Sequence, residues 1–434
     1  MNELAVFGGK SVIPNNAHRQ YPPIGDRERK FIGDVLDSGI LWGPWAPKTR
    51  ELEQAWASRV NVRYCAALNS GTAALHCAVV GCGIGPGDEV IVPAYSFIAS
   101  ASSVMMAGGI PIFVDITPHG NIDPTKIEAA VTNRTKAIMV VHLHGLPADL
   151  DAISAIATRF SLQIIEDCAQ AHGASFQNRP VGSIGDVGAF SLNATKALAG
   201  PEGGLLTTNR EDIYNRAAKM RVFGAEWHEG QQIFRDADSI GYNYRGNELT
   251  AAFTLARLEA LSSEQQVRND NARRLTRGLS ELKGLMLPNE PSDRTHIYNM
   301  IRIRLDPAAL GIDMDASVYR EKVIRALQAE GAIWWIWERK ALPAYRLFQT
   351  KNIDGGHYPW CLPQAREDIS YLPESYPISV ATAKDSIYTT AHFPPNSTAL
   401  MDQYVEAFLK VWRNLDEVLR IEVPPVREGY TQPF

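Results

Sequence analysis

The chain has 434 residues, 45% of them hydrophobic and 21% charged, with a formal net charge of -5. That length exceeds one simple domain and supports two with ample buried core. The charge balance gives no basic surplus for nucleic acid or for an anionic membrane, and no apolar run approaches the ~18 residues of a membrane span. The opening, "MNELAVFGGKSVIP", lacks the charged start, apolar run and small-residue cleavage site of a signal peptide. Cys65, Cys77, Cys82, Cys168 and Cys361 form no CxxC pair, which argues against a disulfide framework and against structural zinc. The expected compartment is the cytoplasm.

Residues 1–25 are irregular and carry prolines, like an arm laid over something larger. From Asp26 the text turns helical. "WGPWAP" then reads as a stiff turn, and Leu52, Trp56 and Val60 mark a second helix from Thr49. Between Arg63 and Asn209 short apolar runs alternate with helical stretches. The runs are "YCAAL", "EVIVPA", "IPIFVDI", "KAIMVVHL", "LQIIEDC", "VGAFSL" and "GGLLTTN". Helices are expected at Thr72–Val80, Ala99–Met106 and Leu150–Phe160. Runs that are apolar throughout suit strands buried on both faces. The repetition predicts an α/β fold with a mostly parallel central sheet flanked by helices.

A long helical region follows from Glu248 to Lys283, with a break expected near Ser262 and Ser263. "LMLPNEPSD" reads as a boundary. The expected division is an arm at 1–25, a large domain at 26–285 and a smaller α/β domain at 286–434. The small domain would hold "HIYNMIRIRL", a helix from Asp315 to Ala329, "AIWWIW", and a last helix with Leu400, Tyr404, Phe408, Val411, Leu415 and Leu419 on one stripe. The prolines of "VPPVREGYTQPF" bar a helix there.

In parallel sheets ligands bind beyond the carboxyl ends of the strands. After "YCAAL" comes "NSGTAAL". Asn69 or Ser70 either caps a helix, or Gly71 opens its free N–H groups to a phosphate. "GCGIGPGDE" follows a helix and precedes a strand, the reverse of a dinucleotide-binding loop, so it is a turn. After "EVIVPA", Tyr95 or Phe97 either packs in the core or stacks on a flat ring. His142 and His144, two apart, would share one strand face. No third metal ligand is evident, and a structural role is the expectation, with no metal.

Asp167 ends the run "LQIIED", with Gln170 and His172 beyond. A buried carboxylate must be paired. Its partner is a helix start, an arginine or a protonated pyridine nitrogen, and the last would sustain the electron sink of pyridoxal phosphate. Lys196 comes 29 residues later in "SLNATKALAGPEGG", behind Ser191. An ordinary lysine is a solvated cation with a pKa near 10.4. One held beside a pyridinium and a phosphate can form a Schiff base.

Taken together, "GDEVIVPAYSFIASASSVMMAGGIPIFVDI", "HLHGLPADLDAI", "IIEDCAQAHGA", the "S…TK…EGG" segment and "GYNYRGNELTAAFTLARLEAL" resemble the DegT/StrS sugar aminotransferases. These are fold-type-I pyridoxal phosphate enzymes. The resemblance implies that Lys196 forms the Schiff base and moves protons, and that Asp167 pairs with the pyridine nitrogen. Phe97 would stack on the ring, and Gln170 would lie near its phenolic oxygen. Gly71, Thr72 and Ser191 would hold the phosphate. Asn243 would reach the phosphate of a neighbouring subunit, which implies a homodimer with shared active sites. Arg245 would contact substrate or brace its loop.

Three departures from the family's usual text bear on the substrate pocket. Asn193 stands where histidine is common, Pro201 replaces the first glycine of "GEGG", and "WWIWERKALPAY" replaces a His-Tyr…Pro…His stretch. Of Trp334, Trp335 and Trp337, one could face the pocket, and Trp337 is the candidate. The expected reaction takes an amino group from glutamate or glutamine to the ketone of a sugar-like ring, a keto-cyclitol or a keto-sugar. A nucleotide-linked keto-sugar is the alternative. A deoxygenating relative would carry histidine in place of Lys196. A cofactor-binding sensor would need an output module, and no basic DNA-binding helix stands at either end.

Overall fold

The computed structural model describes residues 3–228 and 231–423. The proline-bearing tail from residue 424 lies outside the described residues. Two helices, α1 (Asp26–Ser38) and α2 (Pro47–Val60), lead into the first strand, β1 (Tyr64–Leu68). Then come α3 (Gly71–Gly81), β2 (Glu89–Pro93), α4 (Ala99–Met106), β3 (Ile110–Val114), β4 (Thr135–Val141), α5 (Leu150–Phe160), β5 (Gln163–Asp167), β6 (Val187–Ser191) and β7 (Gly204–Thr208).

These strands form one seven-stranded sheet in the order β1-β7-β6-β5-β4-β2-β3. The pairs among β3, β2, β4, β5 and β6 are parallel. Strand β7 runs antiparallel to β6 and to β1, so the sheet is mostly parallel, as expected. Strands β2 and β6 are buried along their whole length, which is why they read as unbroken apolar runs. Helix α3 is buried nearly all round because Ala, Cys and Val cover every face. The ends of α4 and α5 fall where the sequence places them, and Asp149 caps α5 by accepting from Ala152 N–H at 3.2 Å.

After α6 (Glu211–Arg221), the long α7 (Glu248–Leu279) is continuous, and the break expected at Ser262 and Ser263 is absent. Ser263 Oγ donates to the Ala260 carbonyl at 2.9 Å, and Ser262 Oγ accepts from Arg59 at 3.0 Å. Both hydroxyls are satisfied without freeing a backbone group. The next strands, β8 (Leu285–Met286), β9 (Ile301–Leu305) and β10 (Ser386–Thr389), form an antiparallel sheet. Helices α8 (Ala316–Ala329) and α9 (Thr398–Arg413) pack with it around Tyr319, Leu327, Trp334 and Phe408. The last stripe is interrupted at Asn414, so Leu415 and Leu419 belong to a separate short helix, Leu415–Arg420. No helix among the described residues is long and apolar enough to cross a membrane.

The N-terminal arm is held at both ends. Leu4 and Ile13 are buried in the core around Trp334. The buried Glu330 carboxylate accepts from Ala5 N–H at 2.8 Å and Val12 N–H at 3.2 Å, and pairs with Lys410 at 2.8 Å. Further along, Arg19 N–H donates to Asn396 at 2.9 Å and Tyr21 reaches the Lys196 loop. Glu330→Ala would strand the Lys410 ammonium and two arm N–H groups. We expect a loss of about 3–5 kcal/mol in denaturant unfolding, with faster amide exchange over residues 4–13.

Candidate active site

Two adjacent acids end β5, and strand alternation sends them to opposite faces. Glu166 accepts from Gly182 N–H at 2.9 Å, Ile184 N–H at 2.8 Å and Gly185 N–H at 2.7 Å. His142 adds a fourth bond. Ala148 N–H donates to its Nδ1 at 3.1 Å, so Nε2 carries the proton and donates to Glu166 at 3.0 Å. Burial pushes the Glu166 pKa up, but the His142, Gly182 and Gly185 bonds outweigh it and hold the carboxyl below its ordinary value. Cys168 lies near enough to complete a His142–Glu166–Cys168 metal-ligand set. The Glu166 oxygens and both His142 nitrogens are already spent on protein partners.

Asp167 faces the other way and is 5% exposed. One oxygen accepts from Ser100 Oγ at 2.8 Å and the other from Ala169 N–H at 3.1 Å. Since Ser100 gives its proton to Asp167, Ser96 donates to Ser100 across their 2.8 Å contact. No lysine or arginine stands within ion-pair distance of Asp167 among the described residues. Burial raises its pKa, opposed by Ser100, by Ala169 N–H and by the charge of Lys196.

Lys196 sits in the loop between β6 and β7. Leu192 N–H donates to Gly203 and Gly200 N–H to Leu192, both at 2.8 Å, and close the base of that loop. Within it, the Asn193 side-chain oxygen accepts from Thr195 N–H at 3.0 Å and Thr195 Oγ1 at 2.7 Å. The Asn193 amide also donates to Glu202 at 2.7 Å, and its carbonyl accepts from Lys196 N–H at 2.9 Å. From the arm, Tyr21 shares its hydroxyl proton between the Lys196 and Ala197 carbonyls at 2.9 and 3.0 Å. A Cβ on Gly204 would stand 2.2 Å from the Ser70 carbonyl, so the second glycine of "EGG" lets the loop close on α3. The Lys196 side chain is half-buried. Burial lowers its pKa, against the pull of Asp167 and Glu202.

At the start of α3, Ser70 is the cap and not Asn69. Its hydroxyl accepts from Ala73 N–H at 3.0 Å and its carbonyl from Ala74 N–H at 3.1 Å. Gly71 and Thr72 N–H then have no acceptor among the described residues. A Cβ on Gly71 would meet Ser191 Cβ at 2.7 Å, so the glycine brings the helix start against Ser191. Asn69 instead donates to the Asn243 carbonyl at 3.0 Å. Asn243 is exposed, and its side chain accepts from Arg245 Nε at 2.9 Å. The Arg245 guanidinium lies over Trp42 and Phe223, 4.9 and 5.2 Å from the ring centres.

Of the two aromatics after β2, Tyr95 is core, bonded to the Tyr388 hydroxyl at 2.7 Å, and Phe97 is 45% exposed. His142 and His144 do not share a strand face. Strand β4 ends at Val141, and His144 takes a positive φ of 56° in the following turn. His144 donates to Gln170 Oε1 through its backbone N–H at 2.7 Å and through Nδ1 at 3.1 Å. Trp334 is core, and Trp335 pairs with Tyr388. Trp337 packs edge-on against His144 and Tyr95, 4.9 and 5.6 Å between ring centres, and so backs the imidazole that holds Gln170. Sequence reasoning assigned His144 a structural role without its partner Gln170, and assigned none to Ser100 and Tyr21 as supports. Ser100 could have been found, since "YSFIAS" repeats serine at the one-turn spacing that aims Ser96 and Ser100 the same way.

A buried carboxylate, a desolvated lysine and an unspent helix start thus lie at the carboxyl edge of one sheet. The sequence profile of the DegT/DnrJ/EryC1/StrS aminotransferase family matches residues 22–354. The chain belongs to that family. It is an aminotransferase of fold type I.

Among relatives, a Streptoalloteichus tenebrarius protein provisionally named an L-glutamine:3-amino-2,3-dideoxy-scyllo-inosose aminotransferase is 34% identical over 96% of this chain and 99% of its own. The L-glutamine:scyllo-inosose aminotransferase of Streptomyces griseus is 37% identical over 76% of this chain and 79% of its own. The solved aminotransferase from Psychrobacter cryohalolentis superposes with a TM-score of 0.79 at 28% identity, covering 92% of this chain and all of that one.

Asn193 occupies a position where the family commonly has histidine, and here it ties the lysine loop together. Asn193→Ala removes three side-chain bonds from that loop. We expect about 1–2 kcal/mol of destabilisation and faster amide exchange over residues 193–200, with β6 and β7 unaffected.

Proposed function

We propose that the chain moves an amino group from L-glutamine to the ketone of a keto-cyclitol, with pyridoxal 5′-phosphate as its cofactor. The observation that carries this reading is the convergence of Asp167, Lys196 and the unspent N–H groups of α3. These residues fit the cofactor. Gly71 and Thr72 N–H with Ser191 Oγ suit its phosphate, and a side chain at Gly71 would fill that cradle. Phe97 offers an open ring face. When bound, pyridoxal phosphate supplies the aldehyde that takes up the amino group and the ring that absorbs electrons.

The chain's own residues bind, orient and move protons. Asp167, buried and without a cation of its own, holds the proton on the pyridine nitrogen. Ser100 Oγ and Ala169 N–H donate to it and so favour its ionised form, against a burial that raises its pKa on balance. Lys196 is desolvated, so its neutral amine is more accessible than that of a surface lysine. Its Nζ takes the α-proton of the amino donor and later delivers one to the former carbonyl carbon of the acceptor. Gln170 has Oε1 fixed by His144, which leaves its amide N–H groups for the phenolic oxygen.

Support for L-glutamine and a keto-cyclitol comes from the names of the relatives, one of which spans nearly the whole chain. The segment "WWIWERKALPAY" supports it too, standing where nucleotide-sugar members carry a His-Tyr…Pro…His stretch.

The active unit is a homodimer. Leu41, Trp42, Trp45, Phe223 and Tyr242 are all exposed, and Trp42 and Phe223 flank Arg245 next to Asn243. An apolar patch of that kind marks an interface. In that dimer Asn243 would reach the neighbouring site, and Arg245, bonded to its side chain, would brace the loop.

Lys196→Ala is expected to abolish the visible absorbance of the bound cofactor and to lower turnover by at least about 10³-fold. Asp167→Asn should keep the fold and lose about 10²–10³-fold in kcat. Wild-type protein given L-glutamine should convert to the pyridoxamine form and then aminate scyllo-inosose. Amination of a nucleotide-linked keto-sugar with scyllo-inosose left untouched would overturn the cyclitol assignment. Mixing Lys196→Ala with Asn243→Ala subunits should restore about a quarter of wild-type activity, because random pairing gives one intact site in half the dimers. No restoration would place Asn243 in its own subunit's site.

A further inference from the structure

Along β9, Ile301, Ile303 and Leu305 are buried in the core around Trp334, so Arg302 and Arg304 project from the other face. Arg304 is neutralised by Asp385, with bonds at 3.0, 3.1 and 2.7 Å. Arg302 is not. Its Nη2 donates to the Pro118 carbonyl at 2.9 Å, while Nη1 is sealed from solvent without an acceptor. No carboxylate stands within ion-pair distance of it among the described residues. The neighbouring loop is packed tightly on the guanidinium, since a Cβ on Gly120 would stand 2.9 Å from Nη1. A guanidinium N–H group shut away from water costs free energy unless something accepts from it.

Arg302 lines a cleft with His119, His144, Asn289, His296 and Arg304, and no acidic residue lines it. His119 and Pro118, both exposed, stand at its rim. His144 defines what the cleft can take. Its Nδ1 gives a proton to Gln170 Oε1, so in the neutral ring Nε2 carries a lone pair. That Nε2 is also buried without a partner. Within one cleft, then, an arginine N–H lacks an acceptor, an imidazole lone pair lacks a donor, and a positive charge lacks a counter-charge. Chloride and sulfate only accept. Water does both and brings no charge. Hydrogen phosphate carries P–O⁻ acceptors and a P–OH donor on one small anion.

We propose that this cleft is a binding site for inorganic phosphate, anchored by Arg302 and read by His144. It is formed by β9, by the turn after β4 and by the loop after β3, and shares no residue with the helix start of α3. Because His144 also holds Gln170, a bound anion would lock the orientation of that glutamine from behind.

The test uses the protein saturated with pyridoxal phosphate, so that the start of α3 is already filled. Isothermal titration with sodium phosphate at fixed ionic strength should give one saturable site per chain, with weaker binding of sulfate and none of chloride. Arg302→Gln should abolish phosphate binding, and Arg302→Lys, which keeps the charge without the fork, should weaken it about tenfold. Cofactor absorbance should be the same in all three proteins, which separates this site from the cofactor reading. Phosphate binding that persists in Arg302→Gln would put the anion elsewhere and overturn the proposal. Equal binding of phosphate and sulfate would remove His144 from recognition. No saturable binding to the wild type would mean that the cleft holds only water. If Arg302→Gln does not fold, Arg302→Lys decides alone, and undiminished binding there sinks the proposal.

Discussion

The desolvation of the Glu166–Asp167 pair sets the terms for the rest of the site. Two neighbouring carboxylates end one buried strand, and the pleat separates them. Glu166 is saturated by three backbone N–H groups and a histidine, so it shapes the turn at 182–185 and the start of the turn after β4. Asp167 receives only a serine and one N–H, and keeps capacity for another partner. Burying a carboxylate is costly in proportion to what it lacks. The same strand end therefore yields one acid with a purely architectural role and one with chemical potential in reserve.

The lysine answers to the same constraint. A loop that must hold a partly desolvated amine in one position has to be rigid. Asn193 and Glu202 supply that rigidity from within the loop, and Tyr21 supplies it from the arm. The asparagine at position 193 braces the loop through three side-chain bonds. The arm joins in because Glu330 and Asn396 fix its earlier part, so Tyr21 arrives at the loop already ordered.

Much of this was legible in the sequence. Strands buried on both faces announce themselves as unbroken apolar text, and the strand ends therefore located Asp167, Ser191 and Gly71. What failed to show was anything decided by a contact between distant segments. Paired serines suggested a break in α7, yet Arg59 and the Ala260 carbonyl satisfy them. The histidines at 142 and 144 looked like strand neighbours because the end of β4 is set by the turn beyond it. The antiparallel course of β7 was hidden as well, since an apolar run reads the same in both directions.

Helix α7 carries a mechanical consequence. Over its 32 residues it extends about 48 Å. Ala251, Leu255 and Leu261 pack beside the lysine loop, and Ala272, Leu275 and Leu279 lie in the core around Trp334. The rod runs unbroken through its midpoint and joins the two cores, so a shift of one core against the other has to tilt the rod as a whole or slide along its far half. A substitution at one end is thereby felt at the other as a change in angle, with leverage set by the helix's own length.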